Sequence, residues 1–332
     1  MIEVKNVSYG NASSSQVLYF TGGLAVFQLA DGEYALGPVP TANAFPFYTF
    51  KTLEELTNVA KLAGALRVGT NETIQMQSTE VAFWRPDSTS SKNGLNSAAD
   101  RWSGISYSAY LKNDESYQTI GRYISVSMQA AGIRLRDIAL LHHDQLIMAL
   151  EQPSQVGMGF SNIQMLDLYL AFHSLSTELC SARDYLARLA AMHIRAKDSV
   201  DNMPRLEDWL KKSAHKDHIK EPLVQLMMNA WGSNESPGFL RTLGDLRNKM
   251  VHRQPMSANP ESAMLKTMET ATDFGQILTI RLAPKRSEEP GINTTQDPFE
   301  AILQFSQQME KLSTQAADLA KYEPEIISFM AK

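Results

Sequence analysis

Cysteine is nearly absent: Cys180 is the only one in 332 residues. That excludes an intramolecular disulfide and a cysteine-based metal cluster, and it points to a reducing, cytoplasmic setting. The thiol lies in STELCSARDYL, a helical pattern in which a cysteine packs as a small hydrophobe. A basic excess is also lacking. Lys and Arg total 31 against 36 Asp and Glu, for a net charge of −5. A protein that coats nucleic acid indiscriminately carries a basic surface, so any contact with RNA has to come from a local patch. No uncharged apolar run reaches the ~18 residues of a membrane span. The opening MIEVKNVSYG lacks the basic and apolar regions of a secretion signal. The expectation is a cytoplasmic protein with no membrane partner. Familiar ligand motifs are missing as well: there is no G-x-x-x-x-G-K-[ST], no convincing G-x-G-x-x-G and no H-E-x-x-H. His215 and His218 have a spacing that suits a shared metal, but their neighbours KKSAHKDHIKE are solvated charges, so no metal is expected.

What is present divides near the middle. The length suits two domains: a mixed α+β domain over 1–150, for sensing, targeting or restraint, and a helical domain over 155–332. Residues 16–40 hold short apolar runs broken at Gly22-Gly23 and Asp31-Gly32, which are hairpin signals. An amphipathic helix is expected over 52–69 and an alternating strand over 72–84. A long polar loop follows over 85–104, then a strand over 121–128 and a helix over 130–152. From about residue 160 the period is helical. Leu168, Phe172, Leu175, Leu179, Leu186 and Leu189 are spaced for burial along one long helix, 162–197. Further helices are expected over 204–231 (in one or two pieces), 238–256, 259–283 (begun by Asn259 and Pro260) and 299–331 (whole or interrupted near Pro324), with a linker at 284–298. The fold class is α+β, a mixed N-terminal portion followed by a C-terminal antiparallel helical bundle.

The stretch LRNKMVHR (246–253) carries the chemistry. On a helix Asn248 and His252 are four apart and share a face, and the long side chain of Arg247 reaches round to it. A histidine titrates near neutral pH and can move a proton to or from a ribose hydroxyl. An arginine holds phosphate oxygens with paired hydrogen bonds and stabilises transition-state charge. These groups suffice for RNA cleavage without a metal or other cofactor. The spacing alone is weak, since 15 arginines and 7 histidines give R-x4-H about 0.3 times by chance in a chain this long. It recurs at Arg188…His193, where apolar Leu189 follows the arginine, and that pair reads as incidental. Arg136-Asp137 before His142 and His143 is a real competitor. Only Arg247 combines a polar follower, a late position in the bundle and a start just after the turn GSNESPG.

LRNKMVHR resembles the signature of the HEPN family (higher eukaryotes and prokaryotes nucleotide-binding domains), R-x4-6-H with a polar residue after the arginine. The long helix carrying TELCSARDYLARL is similar to the second helix of such domains. The resemblance covers roughly residues 155–285. It implies a HEPN-like helical bundle with Arg247, Asn248 and His252 as catalytic residues and Glu178 or Asp184 as the polar or acidic residue facing the arginine. It further implies a metal-independent endoribonuclease that leaves 2′,3′-cyclic phosphate ends, works on RNA as a homodimer, and serves as a toxin or antiviral effector, with a regulatory or antitoxin protein as a possible partner. A subgroup carries a tyrosine two residues after the histidine; Gln254 stands there, so the chain departs from that subgroup. Other members are non-catalytic modules that bind nucleotides or proteins, and that is the alternative.

Overall fold

The structure is a computed structural model; it describes residues 4–5, 16–29, 31–38, 47–76, 79–87, 97–151, 156–250, 264–283 and 297–325. The N-terminal part is a seven-stranded antiparallel sheet. Its strands are β1 (Val4–Lys5), β2 (Gln16–Phe20), β3 (Ala25–Gln28), β4 (Tyr34–Gly37), β5 (Phe47–Phe50), β6 (Arg67–Met76) and β7 (Thr79–Pro86), in the spatial order β1-β5-β4-β3-β2-β6-β7. The hairpin signals of 16–40 become β2–β3–β4. At the first turn Gly22 and Gly23 both have positive φ, which glycine adopts without steric cost. Gly23 is needed for a second reason: a Cβ there would lie 2.8 Å from the carbonyl oxygen of His142. Helix α1 (Leu53–Leu62) starts at Thr52, whose hydroxyl accepts from the Glu55 amide. It buries Leu56, Val59 and Ala60.

Most of the rest is helical around one long pair. Helix α2 (Ala98–Leu111) and the 37-residue α3 (Glu115–Glu151) lead to α4 (Met165–His193), which packs along α3. Three shorter helices flank α4: α5 (Met203–Leu210), α6 (Pro222–Trp231) and α7 (Phe239–Asn248). Helix α8 (Pro298–Asp318) closes the bundle against α2 and α4. After α8, residues 319–325 run back over α2, where the Glu325 amide donates to the Gly104 carbonyl. A second, three-stranded sheet lies between β8 (Gly159–Phe160), β9 (Met264–Thr272) and β10 (Gly275–Ala283). The buried apolar side chains form one continuous cluster that includes both the first sheet and the helices.

The mixed α and β composition and the N-terminal sheet are as expected, and the long helix 162–197 is α4. Several element expectations are corrected. The helix expected over 52–69 ends at Leu62 and gives way to β6 from Arg67, the single strand expected over 72–84 is the hairpin β6–β7, and the final helix ends at Asp318. Residues 121–128 lie inside α3: Ile120, Ile124, Met128 and Ala131 are buried at helical spacing, and that packing outweighs the β-propensity of Tyr123, Ile124 and Val126. The polar stretch 85–104 ends in helix from Ala98, capped by Ser97 on the Asp100 amide. The expected helix 259–283 is the hairpin β9–β10. Leu265 and Thr267 are buried while Lys266 and Met268 are not, an alternation of period two. The strands join through Asp273-Phe274. The proposed cap Asn259-Pro260 lies outside the described residues, as do the linker 284–296 and the last seven residues.

Candidate functional site

Helix α7 positions Arg247 and Asn248. The turn GSNESPG that precedes it is closed on itself: Gly232 bridges Pro237, and the Ser233 amide donates to the Ser236 carbonyl at 2.9 Å. The helix then buries Leu240, Leu243, Gly244 and Leu246 and packs against α4. The Arg183 guanidinium crosses in the space a Cβ on Gly244 would occupy, and its Nη1 donates to the Leu240 carbonyl at 3.4 Å.

Two arginines therefore serve the α4–α7 seam differently. Arg183 is buried and committed: its Nε and Nη2 hold both oxygens of Asp184 at 2.9 and 3.1 Å, and it lies 5.8 Å from the Trp231 ring. Arg247, half-buried in the last turn of α7, has no carboxylate partner among the described residues. Its Nη1 donates to the Asn248 Oδ1 at 2.9 Å, while its buried Nε is unpaired. Asn248 itself is exposed. The sequence-predicted neighbours Arg247 and Asn248 are thus joined directly, with the amide holding the guanidinium. Lys249 continues in helical geometry and Met250 is buried. His252 and Gln254 lie outside the described residues.

Glu178 and Asp184 both lie on α4, half-buried. Asp184 is spent on Arg183, whereas Glu178 makes no hydrogen bond or ion pair among the described residues. Cys180, between them, is buried. Burial pushes its thiol pKa up, and the nearby Arg183 and Arg247 charges only partly oppose this, so the thiol is not a poised nucleophile.

The other histidines resolve clearly. Arg136 pairs with its own neighbour Asp137 at 2.9 Å. His142 is fully buried and burial lowers its pKa to about 3. His143 is tied to the Gly23 carbonyl at 2.8 Å, and burial lowers its pKa too. Both are core histidines. His215 and His218 stand on a 3₁₀ segment, Ser213–Lys220; His215 stacks on Trp209 at 3.7 Å between ring centres, and no group suited to a metal exists among the described residues. His193 is different. Its Nδ1 meets Glu221 Oε1 at 3.1 Å and its Nε2 meets the Tyr117 hydroxyl at 3.2 Å, at the wall of a 440 Å³ cleft. Sequence reasoning set His193 aside because Leu189 follows Arg188. The only signal it offered was that the spacing occurred twice.

No protein-family model, curated protein or solved structure matches this chain. At the end of α7 stands a guanidinium held by an exposed amide and without a carboxylate partner among the described residues, a planar donor fork that can hold two oxygens of an oxyanion such as a phosphodiester.

Proposed function

We propose that the chain is a metal-independent endoribonuclease of HEPN type. The observation that carries this reading is Arg247: beside a fully committed Arg183, it pairs among the described residues only with the neutral Asn248, which leaves its charge for an incoming phosphate. In the proposed reaction one copy of His252 removes the proton of the ribose 2′-hydroxyl. The 2′-oxygen attacks phosphorus, the bond from phosphorus to the 5′-oxygen breaks, and a second copy of His252 gives that oxygen a proton. Arg247 stabilises the negative charge of the transition state. The products are a 2′,3′-cyclic phosphate and a 5′-hydroxyl, and the two histidines require a homodimer. Glu178, with its unspent carboxylate, is the better candidate to orient Arg247, because Asp184 already serves Arg183.

The test is incubation of the purified protein with tRNA and total RNA in EDTA, beside His252→Ala and Arg247→Ala. Cleavage by the unaltered protein alone, with cyclic phosphate ends and a dimeric mass by light scattering, is expected. Cleavage that persists in His252→Ala sinks the assignment. The second reading, a non-catalytic module that binds nucleotides or proteins, is favoured by the commitment of Asp184 to Arg183, which removes one acid from the site. It predicts RNA retention without cleavage.

A further inference from the structure

The cleft beside His193 carries an inference of its own, independent of the nuclease reading. Its lining comes from four places: Asp114 and Tyr117 at the start of α3, His193 and Arg195 at the end of α4, Glu221 before α6, and Lys321 after α8. The acceptors among them are spent. Asp114 takes bonds from the Tyr117 amide at 3.2 Å, Lys321 Nζ at 2.7 Å and the Tyr322 hydroxyl at 2.8 Å. Burial alone raises the pKa of this carboxyl, but those bonds outweigh it and hold it below the ordinary value. Glu221 accepts from His193 Nδ1 at 3.1 Å and from the Val224 amide at 2.7 Å. A carboxylate only accepts, so Nδ1 carries the hydrogen toward Glu221, and in the neutral imidazole Nε2 accepts from the Tyr117 hydroxyl. That hydroxyl in turn accepts from the Lys321 amide at 2.8 Å.

The donors are left over. Lys321 is exposed and has hydrogens to spare beyond its bond to Asp114. Arg195 has its whole guanidinium fork unspent among the described residues. Its backbone adds a second, independent observation. Arg195 has φ +54 and is the left-handed residue of a Schellman ending to α4, with Ala196 N bonding to Ala191 O and Arg195 N to Met192 O. Glycine is the usual occupant of that position because a side chain strains it. Here the chain carries an unpaired arginine there, at the mouth of a cleft.

We propose that this cleft is a binding site for a phosphate group, free or carried on a small molecule. Arg195 grips the phosphate oxygens with its fork, Lys321 supplies a second positive charge, and the Tyr117–His193–Glu221 chain forms the fixed wall behind them. The volume is within the range of small-ligand sites, roughly 300–1,000 Å³.

The test is calorimetric titration of the full chain with ribose 5-phosphate and, in parallel, with inorganic phosphate, using Arg195→Gly as the variant. Glycine relieves the left-handed backbone, so the variant should melt no lower than the unaltered protein while its binding weakens at least tenfold. Tighter binding of ribose 5-phosphate than of phosphate identifies an ester as the ligand, and equal binding identifies free phosphate. No binding of either at millimolar concentration, or equal binding by Arg195→Gly, overturns the proposal. A variant that melts well below the unaltered protein also overturns it, because the guanidinium would then be structural.

Discussion

Arg183 and Arg247 are on facing helices, and what each is paired with separates structure from chemistry. Removing Arg183 leaves the half-buried Asp184 unpaired and empties the space over Gly244. Arg183→Met is expected to cost about 2–4 kcal/mol in urea denaturation, the range for breaking a largely buried pair, discounted because Asp184 is partly solvated. Arg247→Lys keeps the charge but loses the fork. It is expected to leave the melting temperature within a few degrees while cleavage falls by about 10²-fold or more, the scale for losing one electrostatic stabiliser. An RNA cleavage time course beside a thermal melt checks both. Equal loss of stability in the two variants would mean that Arg247 is also structural.

At the scale of elements, the β9–β10 hairpin shows how a turn fixes docking. Gly275 follows Asp273-Phe274 with φ +128, a conformation almost reserved to glycine. A Cβ there would collide with the Tyr48 hydroxyl, which donates to the Gln276 carbonyl at 3.1 Å. Phe274 meets Phe50 edge-on at 5.4 Å. Gly275→Ala is therefore expected to destabilise by about 1–3 kcal/mol and to loosen Tyr48, which hydrogen exchange at Gln276 and Ile277 would report. The same hairpin marks where sequence reading failed. Leu265, Ile277 and Ile280 fit a helical template as well as a strand, because short apolar runs do not distinguish the two. Helix α4 was legible because its buried leucines and Phe172 keep one period over 29 residues. Helix α3 was obscured by the β-branched and aromatic residues near 123–126, whose packing against neighbours only the fold reveals. The sequence places Arg247 beside Asn248, but it reads the amide as orienting the histidine or the phosphate; the direct hydrogen bond between the two side chains is visible only in the fold. Tyr117 and Glu221 were not legible, since they lie 76 and 28 residues from His193 and meet it only through packing.

For the whole molecule, two buried titratable groups oppose each other across pH. Asp297 caps α8, its Oδ1 accepting from the Phe299 amide at 2.9 Å. Burial raises its pKa to about 7, and its Oδ2 has no partner among the described residues. His142 packs edge-on against Phe299 at 5.0 Å, and burial lowers its pKa to about 3. Folding thus takes up a proton at Asp297, so its contribution is full below the unfolded value near 4 and is lost as pH rises toward 7. Folding releases a proton at His142, so its contribution is full above the unfolded value near 6.5 and is lost as pH falls toward 3. Between about pH 4 and 6.5 each slope is ~1.4 kcal/mol per pH unit and the signs are opposite. The unaltered protein should therefore show little net dependence from this pair in that window. Asp297→Asn keeps the cap and removes one titration, so its stability should rise with pH from about 4 to 6.5, following His142 alone. His142→Leu should show the reverse slope and lose stability toward pH 7. Urea midpoints of the three proteins at pH 4.5, 5.5 and 6.5 decide this: three parallel curves would mean that neither group changes its protonation on folding.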